Sequence, residues 1–133
     1  MDATEACQQD RQVKRILVVD DNRPSAQSLA WVMEMNGYEV VACFDGASAV
    51  EMAHVFHPDV VLLDIGMPIM DGYEVCRRLR EDESLANTLV IAQTGWGGEA
   101  ARQRTAEVGF NHHMTKPVDF HALFKLLGDQ TFH

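Results

Sequence analysis

The chain is poor in positive charge. Eleven lysines and arginines stand against twenty aspartates and glutamates, a formal charge of −9 at pH 7. A surface of that sign repels phosphate backbones and anionic lipid, which excludes nucleic-acid or membrane-surface binding as a main role. Cysteine is scarce as well: Cys7, Cys43 and Cys76 are an odd number with no CxxC pair. That excludes a disulfide framework or zinc site and fits reduced cytosolic thiols, two of them expected in the core. No apolar run approaches the ~20 residues of a membrane span. The opening MDATEACQQD lacks the apolar stretch of a signal peptide. Sequence repeats, low-complexity tracts and interdomain linkers are missing too. What remains is 133 residues, 47% hydrophobic and 23% charged, which suits one globular domain with its own core. The expectation is a soluble, cytoplasmic, single-domain protein.

Two textures alternate along the chain. Residues 1–14 are polar and aperiodic and read as a loose leader, with the domain expected over 15–130. Short runs rich in Val, Ile and Leu follow at Ile16–Val19, Val40–Cys43, Val60–Leu63 and Leu89–Ala92, with a weaker fifth at His112–Thr115. Near-continuous apolar runs suit strands buried on both faces of a parallel sheet. Helical spacing fills the gaps, as in the stripes Ala26, Leu29, Ala30, Met33 and Phe120, Leu123, Phe124, Leu127. Pro24 suits a first helical turn, Gly37 a C-terminal cap, and Asp71 and Asp119 N-caps. Asp45-Gly46 marks the turn into the second helix, and Gly97-Gly98 loosens the entry to the fourth. Five strand-then-helix units predict an open parallel α/β sheet with helices on both faces.

In such a sheet, chemistry sits beyond the carboxyl ends of the strands. The first run ends in Asp20-Asp21, the third in Asp64, the fourth in Thr94 and the fifth in Lys116-Pro117. Parallel strands gather these side chains on one edge. Three carboxylates together repel one another unless a cation joins them. Hard oxygen ligands at an open site suit Mg²⁺, which keeps waters and accepts phosphate oxygens. A lysine and a hydroxyl beside it complete a cradle for a phosphoryl group, with an aspartate as acceptor. Asp59 reads as a strand-entry residue, and the methionines of the loop after Asp64 as packing.

These residues resemble the receiver domain of bacterial two-component response regulators. The matching text is ILVVDDN at 16–22, VVLLDIGMPIMDGYEV at 60–75, AQTGW at 92–96 and TKPVD at 115–119. The resemblance implies a flavodoxin-like doubly wound (βα)5 fold with strand order 2-1-3-4-5. It implies that Asp64 is the phosphoacceptor and that Asp21 and Asp64 ligate Mg²⁺ by carboxylate. Gly66 adds its backbone carbonyl, and Asp20 joins directly or through water. Lys116 pairs with the acceptor carboxylate and then the phosphoryl oxygens, its bond to Pro117 being cis. Thr94 turns its hydroxyl to the phosphoryl group. A sensor histidine kinase or histidine phosphotransfer protein is the implied donor, and an unidentified protein the downstream target. The fourth helix, fifth strand and fifth helix are the implied readout face, through which the chain is a monomer or weak dimer.

The sequence departs from that pattern at His113, where the family carries an aromatic switch residue three positions before the lysine. His113 is either a pH-dependent switch or a half-exposed strand residue. Gly66 and Trp96, each two residues beyond Asp64 and Thr94, flank the expected phosphoryl position and are candidates for tuning its hydrolysis. The seventeen residues after Lys116 leave room for one helix and no output domain. A piece of a hybrid histidine kinase and an unphosphorylated scaffold are the alternatives. An aspartyl phosphatase would want a general-acid aspartate where Gly66 stands. A flavodoxin-like cofactor binder would want a phosphate loop where Asp20-Asp21-Asn22 stands.

Overall fold

The computed structural model describes residues 13–95 and 99–128. Strand β1 (Arg15–Val19) leads to helix α1 (Arg23–Met35), β2 (Glu39–Cys43) to α2 (Gly46–Phe56), and β3 (Val60–Asp64) to α3 (Gly72–Glu81). A 3-10 turn (Glu83–Leu85) precedes β4 (Leu89–Thr94), α4 (Glu99–Val108), β5 (His112–Thr115) and α5 (Phe120–Gly128). All four pairings are parallel, in the order β2-β1-β3-β4-β5. The doubly wound order implied by the motifs is the one found.

The continuous apolar runs feed two cores, because successive strand residues point to opposite faces. Leu17, Val19, Val61 and Leu63 pack on one face against Ala49, Ala53, Val75, Cys76 and Leu79 of α2 and α3. Ile16, Val18, Val60 and Leu62 pack on the other against Ala26, Leu29 and Met33 of α1 and Leu123 and Leu127 of α5. Each fully buried aliphatic side chain contributes about 1.5–3 kcal/mol, so these strands are the stablest part of the sheet. Cys43 and Cys76 lie in the first core, where burial pushes both thiols up to about 11. Cys7 lies outside the described residues. Val13, assigned to the leader by its polar neighbours, is buried and belongs to the second core.

Helix ends follow the local chemistry. Asn22, Asp45 and Asp71 accept from Ser25 N, Ser48 N and Glu74 N at 3.0, 2.8 and 3.0 Å. Asp119 accepts from Ala122 N at the start of α5. Gly37 has φ +96 just past α1, a conformation costly for other residues. Asp59 takes the N–H groups of Lys14 and Arg15, which fixes where β1 begins.

A cluster of polar contacts ties the far half of the sheet together. Arg80 Nε donates to Gly109 O at 3.0 Å and its Nη1 to Thr88 O at 2.9 Å. Its Nη2 reaches Asn111 Oδ1 at 2.6 Å, and that oxygen also accepts from Val90 N at 2.7 Å. Asn111 N in turn donates to Val90 O at 2.8 Å.

Candidate functional site

Strands β1 and β3 deliver their terminal aspartates to one edge. Asp20 and Asp64 are buried, while Asp21 is exposed. One carboxylate oxygen from each of the three lies within 4.8 Å of the others. Asp20 is held by its backbone, whose N–H donates to Cys43 O at 3.1 Å, and by Asn22 N donating to Oδ1 at 2.9 Å. Asp64 Oδ1 accepts from Gly66 N at 3.2 Å. Gly72 presses on this corner: a Cβ there would stand 2.6 Å from Asp64 O and Ile65 Cα. Gly66 is open, with no atom within 4 Å of the equivalent position.

Lys116 enters from beyond β5, where the Lys116–Pro117 peptide is cis. Its Nζ lies 2.9 Å from Asp20 Oδ2 and 3.5 Å from Asp64 Oδ1. The motif implies pairing with the acceptor; here the hydrogen bond goes to Asp20 and the longer contact to Asp64. The shorter partner is the more deeply buried carboxylate, which has most to gain from a cation. Thr94 is buried at the end of β4, and its carbonyl accepts from Lys116 N at 2.8 Å, so the two residues are positioned together.

Electrostatics follow from this packing. Burial raises the Asp64 carboxyl above its usual range, Lys116 opposes the rise, and Asp20 adds to it. Burial alone would lower the Lys116 ammonium, but bonding to Asp20 and attraction to Asp64 more than reverse that. Three carboxylates facing one ammonium leave the pocket short of positive charge. An all-oxygen donor set of this size, with the open Gly66 backbone beside it, fits a hard divalent cation such as Mg²⁺.

The remaining candidates separate. His113 lies on β5 opposite Ala92, half-buried. Both its ring nitrogens are covered and have no hydrogen-bond partner among the described residues. Burial, then Arg102, lowers its pKa, favouring the neutral ring. His112 is exposed. Trp96 and Gly97-Gly98 lie outside the described residues. Met67 is buried and Met70 half-buried, as packing residues should be. Sequence reasoning missed Asn22, whose N–H orients Asp20; Asn at the first position of a helix-capping pattern was the available signal.

The family model for the response regulator receiver domain matches residues 16–128. The chain belongs to that family. This receiver is 39% identical over 110 residues to the response regulator PleD of Caulobacter vibrioides, covering 83% of this chain and 24% of PleD. It thus spans about a quarter of that curated relative. Among solved structures it resembles the chemotaxis protein CheY4 of Vibrio cholerae (27% identity, TM-score 0.82, covering 88% of this chain and 98% of that one). It also resembles the receiver domain of a DNA-binding response regulator from Colwellia psychrerythraea 34H (29% identity, TM-score 0.81, 87% and 96% covered). The receiver is therefore a component of two-component signalling. No helix among the described residues is long and apolar enough to cross a membrane.

Proposed function

We propose that Asp64 accepts a phosphoryl group from a phosphohistidine on a sensor histidine kinase or histidine phosphotransfer protein. The observation that carries this reading is the meeting of Asp20, Asp21 and Asp64 within 4.8 Å, with Lys116 against two of them. An Asp64 oxygen attacks phosphorus as the P–N bond breaks. The imidazole nitrogen leaves with the bonding pair and takes up a proton. Lys116 offsets charge on the transferring oxygens, and Asp20 holds the ammonium in place. Asp21, Asp64 and the Gly66 carbonyl, with Asp20 directly or through water, would hold Mg²⁺. When bound, that ion supplies the positive charge the pocket lacks.

The product adds roughly −1.5 to −2 of charge and three strong acceptors beside Thr94. The Thr94 hydroxyl bonds them, drawing the end of β4 inward, and the half-buried His113 responds one strand away. Gly66 and Trp96 set access of water to the acyl phosphate. The receiver, spanning residues 15–130, catalyses its own phosphotransfer and slow dephosphorylation. It works in the cytoplasm on a protein target, as a monomer or weak dimer through α4, β5 and α5.

Intact mass after incubation with acetyl phosphate and Mg²⁺ tests the reading. One added phosphoryl is expected, labile to hydroxylamine and absent from Asp64→Asn and from an EDTA control. If neither Mg²⁺ nor beryllofluoride moves the amides around Asp64, Thr94 and Lys116, the acceptor reading fails.

A further inference from the structure

Five of the chain's eleven basic residues fall on α3 and α4, although the whole chain carries −9. Arg77, Arg78 and Arg104 line a groove of about 540 Å³ between these helices, together with Ile69, Tyr73 and Val108. The two acids beside them are already engaged. Asp71 caps α3, and Glu74 takes both Arg77 and Arg78. Three guanidiniums against two carboxylates leave the groove positive. Arg104 lies 4.0 Å over the Tyr73 ring, and among the described residues no carboxylate pairs with it. The ring holds that guanidinium in place, so little further freedom is lost when an anion arrives.

Ile69 stands at the groove's mouth, fully exposed, with φ +68. Left-handed backbone is unfavourable for a β-branched residue, and its side chain gains no burial inside the protein. An apolar side chain held out beside arginines and a tyrosine is a composition suited to an interface core.

We propose that the α3–α4 groove docks an acidic segment of a partner protein that carries an apolar side chain among its carboxylates. The carboxylates pair with Arg77, Arg78 and Arg104, and the apolar side chain covers Ile69 and Tyr73. The overall negative charge does not forbid this, because screening over about 8 Å at physiological salt leaves the segment facing its local surroundings. Docking here differs from a readout through α4, β5 and α5, and it stands whether or not Asp64 is phosphorylated.

The test is an NMR titration of the full, isotope-labelled chain with two synthetic dodecapeptides. Both carry leucine and phenylalanine on one helical face; one has glutamate at every other position and the second lysine. The glutamate peptide is expected to shift the amides of residues 69–78 and 104–108, and to weaken as salt rises. Arg77→Glu combined with Arg104→Glu should weaken it by about tenfold, and Ile69→Gly by about threefold. Both arginines are exposed, and circular dichroism checks that the variants fold. Absence of binding, a stronger response to the lysine peptide, shifts centred elsewhere, or an affinity indifferent to the double charge reversal would each overturn the proposal.

Discussion

The strands that carry the aspartates and the strand that precedes the lysine are built differently. β3 is buried along its whole length, and β1 everywhere after Arg15, each with neighbours on both sides and helices on both faces. β5 lies at the sheet edge, exposed at both ends and half-buried between. The aspartate side is thus fixed by apolar packing. The cation side is fixed by a few hydrogen bonds and the reach of one long side chain. A site assembled this way keeps its carboxylates rigid while its counter-charge retains freedom to reorganise.

The sharpest way to break that contrast is to truncate one residue on each side. Leu62→Ala in β3 should cost about 3 kcal/mol of unfolding free energy, and Met114→Ala in β5 about 1, measured by urea denaturation. Equal losses would mean that the two strands are alike. Glycines sharpen it next. Gly72→Ala drives a Cβ onto the Asp64–Ile65 backbone and should cost about 2 kcal/mol, whereas Gly66→Ala should stay within about 0.5.

The carboxylate itself gives a smaller, signed effect. Burial raises the folded-state value of Asp64, so the fold prefers its neutral form. That preference stabilises the protein at low pH and is lost as pH rises through the raised value. Without metal at pH 7, Asp64→Asn should therefore be more stable than the wild type, seen as a higher melting temperature. Added Mg²⁺ should stabilise the wild type and leave the variant nearly unmoved.

His113 gives the smallest effect. Its folded value is lowered, so the stability linked to its neutral ring is present above 6.5 and lost as pH falls through the lowered value. Relative to His113→Phe, the wild type should lose ground as pH drops from 7.5 to 5.5 in paired urea titrations. A constant difference would place the ring in solvent.

What could be read from the chain follows the same division. Doubly buried strands produce unbroken apolar runs, and parallel topology puts whatever ends those runs on one edge, so Asp20, Asp21, Asp64 and Thr94 were visible in the letters alone. The extra strand residues, from Arg15 at one end to Asp64 and Thr94 at the other, come from pairing with neighbours and not from hydrophobicity. The preference of Lys116 for Asp20 was hidden because it depends on which carboxylate lies deeper. Arg80 looked like one more surface arginine, since its partners Gly109 and Asn111 are remote in sequence. The left-handed backbone at Ile69 also left no trace, because isoleucine is a residue one expects not to find there.

Asn111 shows how far upstream the site is decided. It exchanges hydrogen bonds with Val90 through its backbone N–H and its side-chain oxygen, just before the edge strand begins. That closed ring works as an indexing pin: it sets Ile91 opposite His112, and each later pair follows by counting. A slip of one position would turn every following β5 side chain to the other face of the sheet. The ammonium that meets Asp20 and Asp64 is thus aimed by a carboxamide five residues earlier, at the opposite end of its strand.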